Sequence, residues 1–324
     1  MIYRVTSASV VLALLLACGG STRGVRLPDT PPSAEQLAQL WVEPGGTPRD
    51  MFWGAGGEKL APPRDARYTF EQKDELGFSV SYDVKSPDGV EWSAKIGPEA
   101  QTEVVLSRVL WGLGYHQPPL YYLPSWDLVT EAGDVKKESE ARFRPKLDSL
   151  ERLDEYWAWE QNPFVGTRPF NGLLVVLLMF NSTDLKDDNN SIYDIKKPLP
   201  GAPRVKRWFV VRDLGAALGE TGKLYPRRNW IEGFERQGFL KEVKDGRIKF
   251  DFTGRHQQLL EMIRPEDLRW AASRLERLSE RQWHDAFRAA NYSNEIRDRY
   301  LRKIRQKIEE AKKVAVTAQA TPDV

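Results

Sequence analysis

Cysteine is almost absent from this 324-residue chain: Cys18 is the only one. No disulfide can therefore form within the rest of the chain, and a protein of this length buries enough apolar surface to fold without one. Histidine is nearly as scarce. His116, His256 and His284 stand far apart, with no H-x-x-x-H spacing, which argues against a zinc site. No serine sits in G-x-S-x-G, so nucleophilic catalysis by Ser or Cys lacks its signature. Asp184, Asp187 and Asp188 crowd together, but the central Gly and terminal Glu of a calcium loop are missing from register. Neither charge dominates: 48 Lys and Arg against 46 Asp and Glu leave a net charge of +2, and no general attraction to nucleic acid follows. No apolar run reaches the roughly 20 residues of a permanent membrane span.

What is present begins at the N-terminus. Arg4 precedes an apolar run, Val10–Leu16, of the size of a secretory-signal core. It leads into Leu15-Leu16-Ala17-Cys18, then Gly19-Gly20-Ser21-Thr22. This pattern resembles a bacterial lipobox. The resemblance implies that residues 1–17 are a signal peptide, that Cys18 carries the lipid (palmitate among its acyl chains), and that the protein is membrane-anchored in the bacterial cell envelope. Residues 18–50, rich in Pro, Gly, Ser and Thr with a helical hint at Ser33–Trp41, predict a flexible tether. Residues 314–324 lack apolar periodicity and predict a frayed tail.

Between these ends the pattern changes once. Residues 51–148 read mainly as strands: Tyr68–Glu71, Phe78–Lys85, Val90–Ile96, Leu120–Leu123 and Ala141–Leu147. Ser86-Pro87-Asp88-Gly89 makes a turn between the second and third. A helix follows Gly97-Pro98, with Glu99 and Glu103 in its early turns, and stops at Gly112-Leu113-Gly114. Residues 149–313 read as mainly helical, with Phe170–Phe180 a buried helix, Trp208–Arg212 a buried strand, and three helices from Arg264 onward. A sheet-rich N-lobe followed by a helical C-lobe is an α+β arrangement with a cleft between the lobes.

Three polar signals fall where such a cleft would lie. Lys95 ends the third strand, and Glu99 and Glu103 sit on the next helix. Asn181-Ser-Thr-Asp184-Leu-Lys186-Asp-Asp-Asn189 has the D-L-K-x-x-N spacing of a catalytic loop. The strand Trp208-Phe-Val-Val-Arg212 delivers Asp213-Leu214-Gly215, a D-F-G with Leu for Phe. In this order the three signals resemble the atypical protein-kinase-like superfamily, in outline the phosphatidylinositol-kinase-like, HipA-like and secretory-pathway kinases. That resemblance implies a two-lobed kinase-like fold and a nucleotide-dependent phosphotransferase using ATP and Mg2+. Lys95 would bind phosphates, held by Glu103 or failing that Glu99. Asp184 would be the catalytic base with Lys186 beside it, while Asn189 and Asp213 would be metal ligands.

The chain departs from that family in four places. No G-x-G-x-x-G lies between the first strands, and Leu76-Gly77-Phe78-Ser79 is the one candidate cover for phosphates. No His-Arg precedes Asp184, no Ala-Pro-Glu follows Asp213, and the stretch from Asn189 to Asp213 is long. ATP is also scarce outside the cytoplasm. Two alternatives therefore stay open: a non-catalytic, pseudokinase-like envelope scaffold, and a lipoprotein that binds a glycan. The second would use aromatic stacking by Trp111, Trp126, Trp157 and Trp159. Packing in the core and between the lobes explains those rings better. The substrate, protein or glycan, is left unnamed.

Overall fold

The computed structural model describes residues 24–74, 79–222, 227–244 and 246–314. Cys18 with its signal-like stretch, the candidate phosphate cover Leu76-Gly77-Phe78, and residues 315–324 lie outside them. The first described element is a single turn, α1 (Ala34–Leu37), opened by a capping box between Ser33 and Gln36. The tether expected over residues 18–50 is not what the described part forms. Leu40 is buried, the Trp41 indole donates to the Leu113 carbonyl at 2.8 Å, and the Phe209 amide donates to the Gln39 carbonyl at 2.9 Å. A loop-like composition missed the anchoring power of two apolar side chains, Leu40 and Trp41, inside it.

Period-two alternation builds the first sheet. It comprises β1 (Arg67–Asp74), β2 (Ser81–Lys85) and β3 (Glu91–Ile96), then helix α2 (Glu99–Leu113). Beyond α2 come β4 (Tyr121–Leu123), β5 (Trp126–Val129), β6 (Val135–Glu138) and β7 (Ala141–Pro145). Spatially the seven strands run β4-β7-β3-β2-β1-β5-β6, and every pairing is antiparallel except β1 with β5. One face carries Tyr68, Val84, Trp92, Trp126 and Phe143, which form their own apolar cluster. On the other strand positions stand Ser93, Lys95, Arg142 and Arg144, cross-paired as Ser93 with Arg144 and Lys95 with Arg142. Helix α2 is buried along almost its whole length. It stops where Gly114 takes φ +106°, a left-handed cap that a side chain would resist.

The remainder was expected to be mainly helical, and its helices are there. They are α3 (Arg168–Met179), α4 (Ile231–Arg236), α5 (Gln257–Leu260), α6 (Pro265–Glu276), α7 (Glu280–Ala289) and α8 (Asn294–Lys313). Two small sheets interrupt them, of whose strands the sequence reading placed only the one at Trp208–Arg212. β8 (Leu150–Arg152), β9 (Asn190–Ile195) and β10 (Arg207–Val211) make one, in the order β10-β9-β8. β11 (Leu240–Lys244) and β12 (Arg247–Phe250) make the other. The architecture is mixed α+β.

Helix α3 starts at Thr167, whose hydroxyl accepts the Phe170 amide, and every residue from Pro169 to Met179 is buried. At roughly 1.5–3 kcal/mol per fully buried large aliphatic side chain, this helix is a principal contributor to the core. Its C-terminal end meets Lys307 of α8, whose ammonium donates to the Met179 carbonyl at 2.9 Å and to Asn181 Oδ1 at 2.8 Å. Trp111, Trp126, Trp157 and Trp159 are all buried. Rings enclosed to that degree offer no face to a sugar, so the stacking surface considered from sequence is not formed by them. Among the described residues no helix is long and apolar enough to cross a membrane.

Candidate functional site

Lys95 reaches the polar side of the sheet because β3 alternates, with Trp92 and Ala94 directed to the aromatic cluster. The chain then turns at Gly97-Pro98 and begins α2, placing Glu99 in the first helical turn. Lys95 Nζ lies 2.9 Å from Glu99 Oε2 and 2.7 Å from Asp213 Oδ1. Glu99 also accepts from Arg228 Nη1 and, at 3.1 Å, from Ser79 Oγ. Burial pulls the Lys95 ammonium toward neutrality, but Glu103, Asp213 and Glu99 together outweigh it, and the net shift is upward.

Glu103, the first-choice partner for Lys95, is engaged elsewhere. It is fully buried one turn further along α2, with Arg142 Nε at 3.1 Å and Arg144 Nη2 at 2.8 Å. Burial alone would raise its carboxyl, but Arg142, Arg144 and Lys95 hold it below the ordinary value. The two arginines were passed over in sequence. Ala141-Arg-Phe-Arg-Pro145 alternates like a strand with a solvated face, yet that face is buried against α2.

The loop after α3 carries Asp184, whose Oδ2 lies 3.1 Å from Lys186 Nζ. Asn189 Nδ2 donates to the Asp184 carbonyl at 2.8 Å, which closes the loop and leaves the Asn189 side-chain oxygen to face other partners. The long stretch from Asn189 to Asp213 is the β9–β10 hairpin. Its register pairs Asn190 with Val211, and the Arg212 amide donates to the Asn189 carbonyl at 3.2 Å. The two ends of the stretch are thereby neighbours despite their separation in sequence. The Thr183 amide donates to the Ala216 carbonyl at 2.9 Å, tying the Asp184 loop to the Asp213 loop a second time.

Each residue of Asp213-Leu214-Gly215 has its own physical task. Asp213 sits at φ +54°, a conformation uncommon for a non-glycine residue and common at sites where the backbone is held for function. Leu214 is buried in the main core. Gly215 passes so close to α2 that a Cβ there would meet Glu99 Cβ at 2.5 Å. Burial would raise the Asp213 carboxyl, but Lys95 overrides it and brings its pKa down to about 2. Lys307 and Asn181, also passed over in sequence, anchor the start of the Asp184 loop; burial takes Lys307 well below its ordinary pKa.

Lys95, Glu99, Asp184, Lys186 and Asp213 line one cavity of about 640 Å³. Glu103 and Asn189 stand behind its wall. A larger cavity of about 1180 Å³ lies around β11, β12 and α5 and contains none of these residues. The described residues hold no group of three His, Cys, Asp or Glu arranged for a metal. Mg2+ does not require one: it commonly takes one or two protein oxygens and completes its shell with phosphate oxygens and water. Asp213, which lines the cavity, fits that role, whereas Asn189 is not among its lining residues. A purine base fits less well. Of the described residues lining the cavity, Ala216 alone has a wholly apolar side chain and Tyr82 alone an aromatic ring, whereas base-binding slots are lined largely by apolar and aromatic groups.

No protein-family model matches this chain, and no curated protein matches it. Among solved structures, the crystal structure of the proinflammatory kinase CtkA from Helicobacter pylori is similar, with 12% identity, 76% of this chain and 96% of that chain covered, and a TM-score of 0.43. A likeness that slight leaves the functional reading to the residues of the cleft.

Proposed function

We propose that this protein is a kinase-like, Mg2+-dependent phosphotransferase, carried on the bacterial cell envelope by a lipid on Cys18. The observation that carries the enzymatic part is Lys95 bridging Glu99 at 2.9 Å and Asp213 at 2.7 Å in the cavity that Asp184 also lines. In a phosphoryl-transfer site the protein supplies position and charge rather than covalent chemistry. Lys95, oriented by Glu99, would hold phosphate oxygens. Asp213 would hold Mg2+, which when bound neutralises charge on the transferring group. Asp184 would accept the proton of the attacking hydroxyl, with Lys186 close enough to contact the same phosphate. The two-lobed kinase-like architecture is part of this reading. It is supported by the sheet order β1-β2-β3-β7-β4 beside α2, followed by the helical core.

The test separates metal binding from chemistry. ATP with Mg2+ should raise the melting temperature of the wild-type protein, because a ligand that binds only the native state must stabilise it. Asp213→Ala should abolish that Mg2+-dependent rise, whereas Asp184→Ala should keep it. A rise that persists in Asp213→Ala contradicts the metal assignment. For the anchor, Cys18→Ser should lose incorporation of labelled palmitate; label that enters the variant as well as the wild type contradicts the lipid reading.

A further inference from the structure

The polar side of the first sheet holds more positive charge than a Lys–Glu–Asp phosphate site needs. Arg142 and Arg144 stand on the same face of β7 and share one carboxylate, Glu103. Arg212, at the end of β10, lines the cavity and makes a single long contact, Nη1 to Ser191 Oγ at 3.4 Å. The Nε of Arg144 and the Nε of Arg212 are both buried without an acceptor in the protein. A buried guanidinium N–H left unmatched costs free energy that an anionic ligand would recover. Among the described residues lining the cavity, six cationic side chains face four carboxylates, a surplus of two. Burial, with repulsion from Arg212 and Arg142, draws the Arg144 pKa down to about 9.

The uncharged lining agrees with this. Among the described lining residues, Tyr82 is the one aromatic ring, and the cavity presents Ser81, Ser93 and Thr183 beside Arg142, which is itself 4% exposed. Hydroxyls and guanidinium groups suit phosphate oxygens and not a base face.

We propose, building on the phosphate-binding reading above, that the cleft takes a compact polyanion through two anionic groups. One sits beside Lys95 and Asp213, the other on Arg142 and Arg212 with Arg144 behind them, and no base is recognised. A linear polyphosphate and a polyphosphorylated polyol share this chemistry.

The experiment is calorimetric titration of the full chain in Mg2+ with four probes: tripolyphosphate, inositol hexakisphosphate, ATP and adenosine. Tripolyphosphate or inositol hexakisphosphate should bind at least as tightly as ATP, and adenosine should give no binding heat. Whichever polyanion is tighter marks the linear or the polyol source. Arg212→Gln should weaken that polyanion by about 10- to 150-fold, the equivalent of one charge-assisted hydrogen bond. Arg212→Lys, which keeps the charge and loses the planar fork, should fall between, and unchanged melting temperatures certify both folds. ATP binding more than about tenfold tighter than both polyanions, a difference of ~1.4 kcal/mol, or adenosine binding by itself, would overturn the inference and leave the phosphate reading standing. So would equal affinity in wild type and Arg212→Gln. If no phosphate compound binds, both readings fall together.

Discussion

The two faces of the first sheet are written by the same strands and hold together by opposite means. In β3 and β7 the residues Trp92, Ala94, Ala141 and Phe143 pack into an aromatic cluster with Tyr68 and Trp126. Their immediate neighbours Ser93, Lys95, Arg142 and Arg144 face α2 and the cleft, where Glu103 and Glu99 meet them. The apolar face gains from every area it removes from water. The polar face pays desolvation for each charge and recovers it only through partners in good geometry. An arrangement so costly for stability alone is where function is to be sought.

That contrast can be broken from either side. On the apolar face Phe143, fully buried, should cost about 3–5 kcal/mol when cut to Ala, as deletions of buried aromatic side chains do. Urea unfolding should show this with Mg2+-dependent ligand stabilisation still measurable in the variant. On the polar face Glu103→Gln keeps the shape and removes the charge that Arg142 and Arg144 share. It should cost about 3 kcal/mol, the low end for breaking a buried pair, because the amide oxygen can still accept one bond. A loss under about 1 kcal/mol would mean that water already compensates the arginines.

The smallest expected effect is a pH dependence. The Asp213 pKa falls from its ordinary 3.8 to about 2, chiefly because Lys95 outweighs burial. A depressed carboxyl contributes stability that is present above its unfolded value and is lost as pH falls through its folded value. The window is therefore about pH 4 to 2, and the amount about 1 kcal/mol once solvent screening of a side chain 39% exposed is allowed for. Asp213→Asn should flatten the acid limb of the stability curve over that window. Lys95 works in the opposite direction: its pKa is raised, so its contribution is present below 10.5 and fades as pH rises beyond it.

Much of this was legible in sequence, and the failures have physical causes. Helix α2 could be placed from Gly97-Pro98 at its start and Gly114 at its end, and α3 from its unbroken apolar run. Lys95, Glu99, Asp184, Lys186 and Asp213 were picked out by spacing and do line one cavity. The β9 strand was not seen, because Asn190-Ser-Ile-Tyr-Asp-Ile follows an acidic loop and carries little apolar pattern; its pairing with β8 and β10 makes it a strand. The tether reading weighed Pro and Gly content and not the two residues, Leu40 and Trp41, that dock that segment. Arg212 was read only as the end of a strand, and Arg142 and Arg144 escaped notice because an arginine alternating with apolar residues reads as a solvated surface. Only the third dimension shows that α2 covers it.

The central claim is that Asp184 and Asp213 serve one phosphoryl-transfer cleft with separate duties. Its most direct measurement is transfer of labelled phosphate from terminally labelled ATP or tripolyphosphate, in Mg2+, to water or to a hydroxyl of the protein itself, by wild type and Asp184→Asn. The account expects label transfer by the wild type and a rate about 10²–10⁴-fold lower in the variant, the usual worth of a general base, at an unchanged Mg2+-dependent melting shift. Equal rates in the two proteins, or no transfer by a wild type that still binds the donor, would contradict it.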